Sequence, residues 1–174
     1  MTQAMLAVYP DIFKAGSARA GVPAGCWRVD YDYGNQWSNT CKNGSVNKTA
    51  QEWGDWARIM YDSYEGSRPR AQLFHGEADT TIVYQNMGEA IEQWTKVLGL
   101  DATPTSTDSI SPPNSLYNYN REFWEDDCGY TVLEAWSSPG NGHSMNYEED
   151  AILAFFGLDE FDCIDPQVRA CSKK

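Results

Sequence analysis

The sequence predicts an α/β protein in which about three parallel strands are flanked by helices. Segments with helical periodicity alternate along the chain with short apolar segments of strand-like composition. This order is typical of parallel strands joined by crossover helices. The chain has 174 residues, of which 41% are apolar, enough for a domain with its own hydrophobic core. The sequence shows no internal repeat and no linker-like segment.

The chain opens with a predicted helix, a short strand and a long loop. Apolar side chains recur at helical spacing over residues 1–9, and Pro10 ends the pattern. The segment "FKAGSARAGV" that follows is rich in small residues and predicts a buried strand of weak intrinsic propensity. Residues 23–49 are rich in Gly, Asn and Ser and predict an ordered loop.

A second helix and the central strand come next. Residues 50–64 place four large side chains on one helical face, which we assign to core packing: Trp53, Trp56, Met60 and Tyr64. The segment "RPRAQLFHGEAD" predicts a strand that begins after Pro69 and ends at Gly76.

The second half of the chain adds two helices and one strand. "VYQNMGEAIEQWTKVLGL" predicts an amphipathic helix that ends at Gly99, with an inward face formed by Met87, Ile91, Trp94 and Leu98. Residues 101–129 are rich in Pro, Ser and Asn and predict an irregular excursion, whereas "YTVLEAWSS" predicts a strand. In the last helix, "NYEEDAILAFFGL", Asn146 and Glu149 resemble a capping box and Gly157 marks the end.

The strongly acidic charge limits the classes of partner. The net charge is −12, so phosphate backbones and anionic membrane surfaces would repel the chain. No apolar run approaches the ~20 residues needed to cross a bilayer. The start, "MTQAMLAVYPDIF", lacks the basic segment and the cleavage site of a signal peptide. We therefore expect no nucleic-acid partner and no membrane partner.

The cysteines and histidines do not form a pattern typical of a zinc site. The chain has five cysteines, two histidines and no CxxC pair, so we expect no metal ion and no cofactor. A bridge between Cys26 and Cys41 would pin the long loop, and Cys163 and Cys171 could bridge each other. The spacing leaves the connectivity open, and one cysteine then lacks a partner.

Two sequons favour an extracellular setting. The segments "NGS" at Asn43 and "NKT" at Asn47 would accept N-glycans only in a secretory compartment. Together with spaced cysteines, they indicate an oxidising environment and a secreted protein.

Two side chains with acid–base chemistry follow predicted strands. Asp79 comes after "AQLFHG", and His143 comes after "TVLEAWSS" through the turn "PGNG". Because the carboxyl ends of parallel strands meet at one edge of a sheet, we expect both side chains there. An Asp that accepts the Nδ1–H of a His fixes the imidazole tautomer, and the His then serves as a general base near neutral pH.

Other interpretations of these residues stay open. A single Asp or His beside a glycine is also common in turns that have no catalytic role. His75 is the rival base, although ring packing or a backbone hydrogen bond is the expected role at the end of a strand. A metal-dependent hydrolase built on His75, Asp79 and His143 is a distant alternative, because three isolated ligands are not a recognisable pattern.

Four segments resemble a family of secreted fungal hydrolases. They are "MTQAMLAVYPDIFKAGSARAGVPAGC", "NQWSNTC", "SRPRAQLFHGEADTTIVYQNMGEAIEQW" and "GHSMNYEEDAILAFFGL". They are similar to the second half of the acetylxylan esterases and feruloyl esterases of carbohydrate esterase family one, α/β-hydrolases related to polyhydroxybutyrate depolymerases. The resemblance covers residues 1–158 and leaves 159–174 as a short cysteine-containing tail.

The resemblance implies a Ser-His-Asp mechanism in which the serine is absent. The family's acid corresponds to Asp79 and its base to His143, and its GxSxG elbow would lie upstream of Met1. The oxyanion hole and the N-terminal half of the sheet would then be missing too, so the fold would be a partial α/β-hydrolase fold. This implies an inactive chain, an unpaired strand edge near residues 13–20, and a Cys128 that has lost an upstream partner.

The implied substrate is an acetyl or feruloyl ester on a xylan-type plant cell-wall polysaccharide. Trp27 and Trp37 could flank the sugar, since aromatic faces suit sugar rings, but core packing explains each of them equally well. A non-catalytic carbohydrate-binding or scaffold remnant of such an enzyme is the alternative function.

Overall fold

A mixed sheet of five strands forms the centre of the described part of the chain. The computed structural model describes residues 1–28, 37–146 and 148–158. The strands are β1 (Ala15–Arg19), β2 (Arg70–Gly76), β3 (Ser106–Ile110), β4 (Tyr119–Glu125) and β5 (Thr131–Ser138). Their order across the sheet is β1-β2-β5-β4-β3. The strands β1, β2 and β5 run parallel, which confirms the predicted parallel core.

Five α-helices accompany this sheet in the described residues. They are α1 (Thr2–Val8), α2 (Asn39–Lys42), α3 (Ala50–Arg58), α4 (Gln85–Leu98) and α5 (Glu149–Phe156), with short 3₁₀ turns at Cys26–Arg28 and Ile59–Tyr61. Both α4 and α5 end at glycines in the left-handed conformation, Gly99 and Gly157, as the sequence predicts. None of the described helices combines the length and the apolar character that a membrane crossing requires.

Side chains alternate between the two faces of β2, and each face contacts different helices. Leu73 belongs to the main core, with residues of α1, α3 and α4. Phe74 points the other way and packs with Trp136 and Met145, near Ile152 of α5. All seven residues of β2 are buried. The strand that precedes the candidate acid is therefore fixed on both faces.

The segment 101–129 is not irregular, and that prediction was wrong. It forms the antiparallel hairpin of β3 and β4, which extends the sheet beyond β5. Arg121 of β4 contacts Asp108 of β3 with two hydrogen bonds, of 2.6 and 2.5 Å. Four of the five β3 residues are exposed, so this edge strand lacks the apolar pattern that marks a strand in a sequence.

The predicted capping box of the last helix was also wrong. The residue before α5 is Glu148, which makes no side-chain capping hydrogen bond, so Asn146 and Glu149 do not cap each other. A capping box forms instead at α3. There the Thr49 side chain accepts from the Glu52 amide, and the Glu52 side chain accepts from the Thr49 amide.

A disulfide between Cys26 and Cys41 pins the long loop, which confirms that predicted pairing. Cys128 is disulfide-bonded as well, so the expectation that it lacks a partner was wrong. Its partner and the predicted bridge between Cys163 and Cys171 lie outside the described residues.

Removal of the Cys26–Cys41 bridge should destabilise the protein. The bridge joins residues 15 apart in sequence, and closing a loop of this size stabilises a fold by about 3 kcal/mol in the chain-entropy model. We expect the double variant Cys26→Ala/Cys41→Ala to lose about this much free energy of unfolding in urea titrations. Asn39→Ala, an exposed change between the two cysteines, is the control. Equal midpoints for the double variant and the wild type would contradict this role.

Candidate active site

Two loops meet at the carboxyl edge of the parallel strands. Gly76, the last residue of β2, pairs with Ser138, the last residue of β5. Beyond the strands, the Glu77 amide donates to the Ser138 carbonyl (3.0 Å) and the Ala78 amide donates to the Asn141 carbonyl (2.9 Å). These bonds join the loop that follows β2 to the loop that follows β5.

The joined loops bring Asp79 and His143 together. Nδ1 of His143 lies 2.8 Å from Oδ2 of Asp79. Since the carboxylate accepts, this nitrogen carries the proton, and Nε2 of the neutral ring keeps its lone pair. The Asp79 side chain is fully buried, whereas that of His143 is 41% exposed. Among the described residues, Nε2 of His143 has no hydrogen-bond partner and is free to accept a proton.

Backbone amides fix the other oxygen of Asp79. Oδ1 accepts from the amides of Thr81 (2.8 Å) and Ile82 (3.0 Å). This is the turn that an Asp forms with the residues two and three positions later. The sequence "ADTTI" is compatible with such a turn, but it does not reveal these donors, because they are main-chain groups.

His75 lies beneath the same carboxylate and is not the exposed base. Its residue exposure is 1%, and its Nε2 lies 2.8 Å from the Ile82 carbonyl oxygen. Burial is the main cause that lowers the pKa of His75. The backbone hydrogen bond confirms the expectation that His75 is a structural group at the strand end, and His143 is the accessible imidazole of the two.

Gly76 permits the close approach of the two loops. A Cβ atom at this position would overlap the carbonyl oxygens of Asn141 and Gly142. Both are main-chain atoms of the turn that leads to His143, so they cannot rotate away as the end of a flexible side chain could. The glycine in "HGEAD" is therefore required by the geometry of the site.

The hairpin loop between β3 and β4 reaches the same edge. The Ser138 hydroxyl donates to the Asn118 carbonyl (2.9 Å), and the Tyr117 hydroxyl donates to the Ser144 carbonyl (3.4 Å). Leu116, at the tip of this loop, is 84% exposed. The sequence does not predict this wall of the site, because the composition of residues 101–129 indicates an irregular segment.

The predicted sugar-flanking residues lie in the disulfide-pinned loop. The rings of Trp27 and Trp37 contact each other edge to face, with centroids 5.0 Å apart. Trp27 also packs against the cluster that contains both bridged cysteines. The loop contacts the segment that follows Asp79, because the Val83 amide donates to the Lys42 carbonyl (2.9 Å). A contact of these rings with a sugar stays a prediction.

The described residues contain no cluster of three or more His, Cys, Asp or Glu side chains arranged for a metal ion. His75, Asp79 and His143 are instead joined by direct contacts in which both imidazoles face the carboxylate. The chemistry supported by this arrangement is proton transfer at Nε2 of His143.

Comparisons with known proteins point to one group of enzymes. No protein-family model matches the chain. The chain is 37% identical over 159 residues to the probable acetylxylan esterase A of Aspergillus niger. It is 38% identical over 159 residues to acetylxylan esterase A of Aspergillus oryzae and 35% identical over 158 residues to that of Emericella nidulans.

These alignments cover most of this chain and about half of each relative. The matches span 91% of the chain, but 50%, 49% and 50% of the three relatives. A solved acetyl xylan esterase from Aspergillus awamori superposes with a TM-score of 0.75 at 36% identity, over 90% of this chain and 55% of that one. At this identity and TM-score, the chain shares the α/β-hydrolase-like fold.

Replacement of Gly76 by Ala should displace the His143 turn. The new methyl group would overlap main-chain oxygens, and overpacking of this kind costs about 1–3 kcal/mol. We expect Gly76→Ala to lower the free energy of unfolding by this amount and to shift the imidazole NMR signals of His143. Gly88→Ala is the matched control. Its Cβ meets nothing within 4 Å on exposed helical surface, so it should be neutral or stabilising by about 0.5–1 kcal/mol. Equal behaviour of the two variants would contradict the close-approach argument.

Burial of His75 should make the stability fall in mild acid. Above the unfolded-state pKa of about 6.5, His75 is neutral in both states, so its contribution is complete. Below that pH, the unfolded chain binds a proton that the folded chain resists, because the pKa of His75 is lowered in the fold. Each pH unit in this window then costs at most about 1.4 kcal/mol. Asp79 and His143 are the titratable neighbours of His75, and both are kept in the comparison variant.

Urea titrations at pH 7, 6 and 5 on the wild type and on His75→Gln test this dependence. The loss of stability between pH 7 and 5 should be smaller in the variant, because glutamine does not titrate. Parallel pH dependences for the two proteins would show that His75 does not contribute.

Proposed function

From its homology to the fungal acetylxylan esterases, over 91% of its own length and about half of theirs, we propose that the chain is one part of a serine esterase. This part carries the acid and the base, and the esterase removes acetyl groups from xylan. The observation that carries the proposal is the pair of Asp79 and His143. Its Nδ1–Oδ2 distance is 2.8 Å, and the imidazole is accessible from solvent. This is the arrangement that a nucleophilic hydroxyl requires of its base.

In the proposed reaction, Nε2 of His143 takes the proton of a serine hydroxyl as the serine oxygen attacks the acetyl carbonyl. Asp79 holds the imidazole in the required tautomer and stabilises the imidazolium that forms. The imidazolium then gives its proton to the departing sugar oxygen, which leaves an acetyl-enzyme. Water, deprotonated by the same Nε2, releases acetate and restores the serine.

The serine and the oxyanion hole are proposed to come from a segment that precedes this chain in a longer protein. The share of each relative left unmatched, about half, supports this. So does the outer side of β1: among the described residues, β1 pairs with β2 alone, although Gly16 and Ala18 are buried. A further strand could pair with β1 on that side. On this proposal the chain by itself is inactive.

The substrate and the location follow from the same relationship. The relatives are named acetylxylan esterases, which favours acetate over ferulate as the acyl group and xylan as the polysaccharide. Trp27 and Trp37 are proposed to flank the sugar chain. Asn43 and Asn47 are exposed, as N-glycan acceptors must be, and together with the disulfide they support a secreted protein.

A chimera tests this function directly. We expect that the chain, placed in the Aspergillus awamori enzyme in exchange for the half that it matches, yields a protein that releases acetate from acetylated xylan and from 4-nitrophenyl acetate. In that chimera, His143→Ala should lower kcat by roughly 10⁴-fold or more, because triad members act as a unit. The His143→Ala chimera should still bind xylan, because the proposed sugar contacts come from Trp27 and Trp37 and not from His143.

Ser144→Ala is the matched control for this experiment. Ser144 is exposed and adjacent to His143, so the change alters the same turn without removing the base, and activity should stay within about twofold. A folded chimera that binds xylan without hydrolysing it would instead support the non-catalytic remnant. Full activity in His143→Ala would rule out the proposed mechanism.

A further inference from the structure

His75, a residue of β2 that pairs with Ser137 of β5, holds its imidazole in one orientation. Its Nε2 lies 2.8 Å from the Ile82 carbonyl oxygen, and a carbonyl can only accept, so this nitrogen carries the proton. The imidazole meets the ring of Tyr84 edge to face at 5.8 Å. The Tyr84 hydroxyl is hydrogen-bonded to Ser137 of β5 at 2.5 Å. The tautomer and the orientation of His75 are thus set by neutral groups of the fold.

The protonated Nε2 of His75 also faces the candidate acid. It lies 3.3 Å from Oδ2 of Asp79, the same oxygen that accepts from Nδ1 of His143. A single carboxylate oxygen therefore accepts from the N–H of His143 and also lies 3.3 Å from the Nε2 of a second, buried imidazole, whose N–H bonds to Ile82. The other oxygen is occupied by the Thr81 and Ile82 amides.

We propose that His75 is a positioning residue for the pair of Asp79 and His143. Its neutral imidazole anchors the Asp79 loop through Ile82 and places a second N–H near the Asp79 oxygen that binds His143. This role goes beyond the pairing of acid and base, and its catalytic meaning rests on the proposed function.

The second N–H has a definite effect on His143. It places the partial positive charge of an N–H near Oδ2, so the carboxylate attracts the His143 proton less strongly than it would with a single donor. The base then releases its proton more readily to the leaving group. The contact also restrains rotation of the carboxylate, which keeps Oδ2 aimed at the imidazole of His143. A ring that only fills space beneath the Asp79 loop would do neither.

Two substitutions separate these roles. His75→Phe keeps an aromatic ring against Tyr84 but has no N–H for Ile82 or Asp79. His75→Gln places an amide N–H₂ close to the position of Nε2 and can donate to both acceptors. Because the chain has only two histidines, the His143 imidazole is the only one left in either variant. Its titration can therefore be followed without ambiguity by long-range ¹H–¹⁵N NMR on the whole chain.

In the wild type we expect His75 to show the neutral Nε2–H tautomer at pH 7. In His75→Phe the titration midpoint of His143 should move upward, because Oδ2 then has one N–H fewer beside it. In His75→Gln it should stay near the wild-type value. A space-filling role predicts the opposite ranking, because Phe resembles the imidazole more closely in shape than Gln does.

Two results would overturn the proposal. One is a wild-type His75 that is protonated at Nδ1 instead of Nε2, or charged at pH 7; this result needs no variant and so does not depend on whether His75→Phe folds. The other is a His143 midpoint in folded His75→Phe that is equal to or below that of the wild type. Neither measurement requires turnover. A chimera without activity would contradict the proposed function, but it would not change the measured tautomer of His75 or the measured midpoint of His143.

Discussion

The buried carboxylate of Asp79 is surrounded by N–H groups, and the geometry of the site depends on this. The Thr81 and Ile82 amides and Nδ1 of His143 donate to it, and Nε2 of His75 lies 3.3 Å away. A buried carboxylate without donors would be very costly, because its charge leaves water. With donors on both oxygens it is stabilised and held in one orientation. An amide in its place would turn an N–H₂ group towards at least one donor. The site is therefore specific for a carboxylate at this position.

The sheet brings these donors together. The parallel pairing of β2 with β5 places Gly76 opposite Ser138, so the two loops that leave these strands start side by side. The absence of a side chain at Gly76 lets the turn of Asn141 and Gly142 lie directly on the strand end. His143 is then carried to the surface by a short turn whose position is set by main-chain contacts. Rigid strands thus hold an acid that is buried and a base that is partly exposed, which is the combination that proton transfer at Nε2 requires.

The parts of this arrangement that follow from chain order were accessible from the sequence. "AQLFHGEAD" and "TVLEAWSSPGNGH" each place one acid–base residue beyond an apolar strand, and parallel strands end at the same edge. The hairpin of β3 and β4 was not accessible, because its outer strand is exposed and stabilised by the pair of Asp108 and Arg121 and not by apolar alternation. The donors from Thr81 and Ile82 are main-chain groups that carry no residue signature. The role of His75 depends on a distance to Asp79 that spacing in the sequence does not specify.

The tautomer of His143 tests the account most directly. Long-range ¹H–¹⁵N NMR of the chain above the titration of His143 reports which ring nitrogen carries the proton, and Asp79→Asn gives the reference without the carboxylate. If Asp79 orients the base as described, the wild type holds the proton on Nδ1, and this preference is lost in Asp79→Asn. An Nε2–H tautomer in the wild type, or an unchanged tautomer in Asp79→Asn, would contradict the pairing on which the proposed catalysis depends.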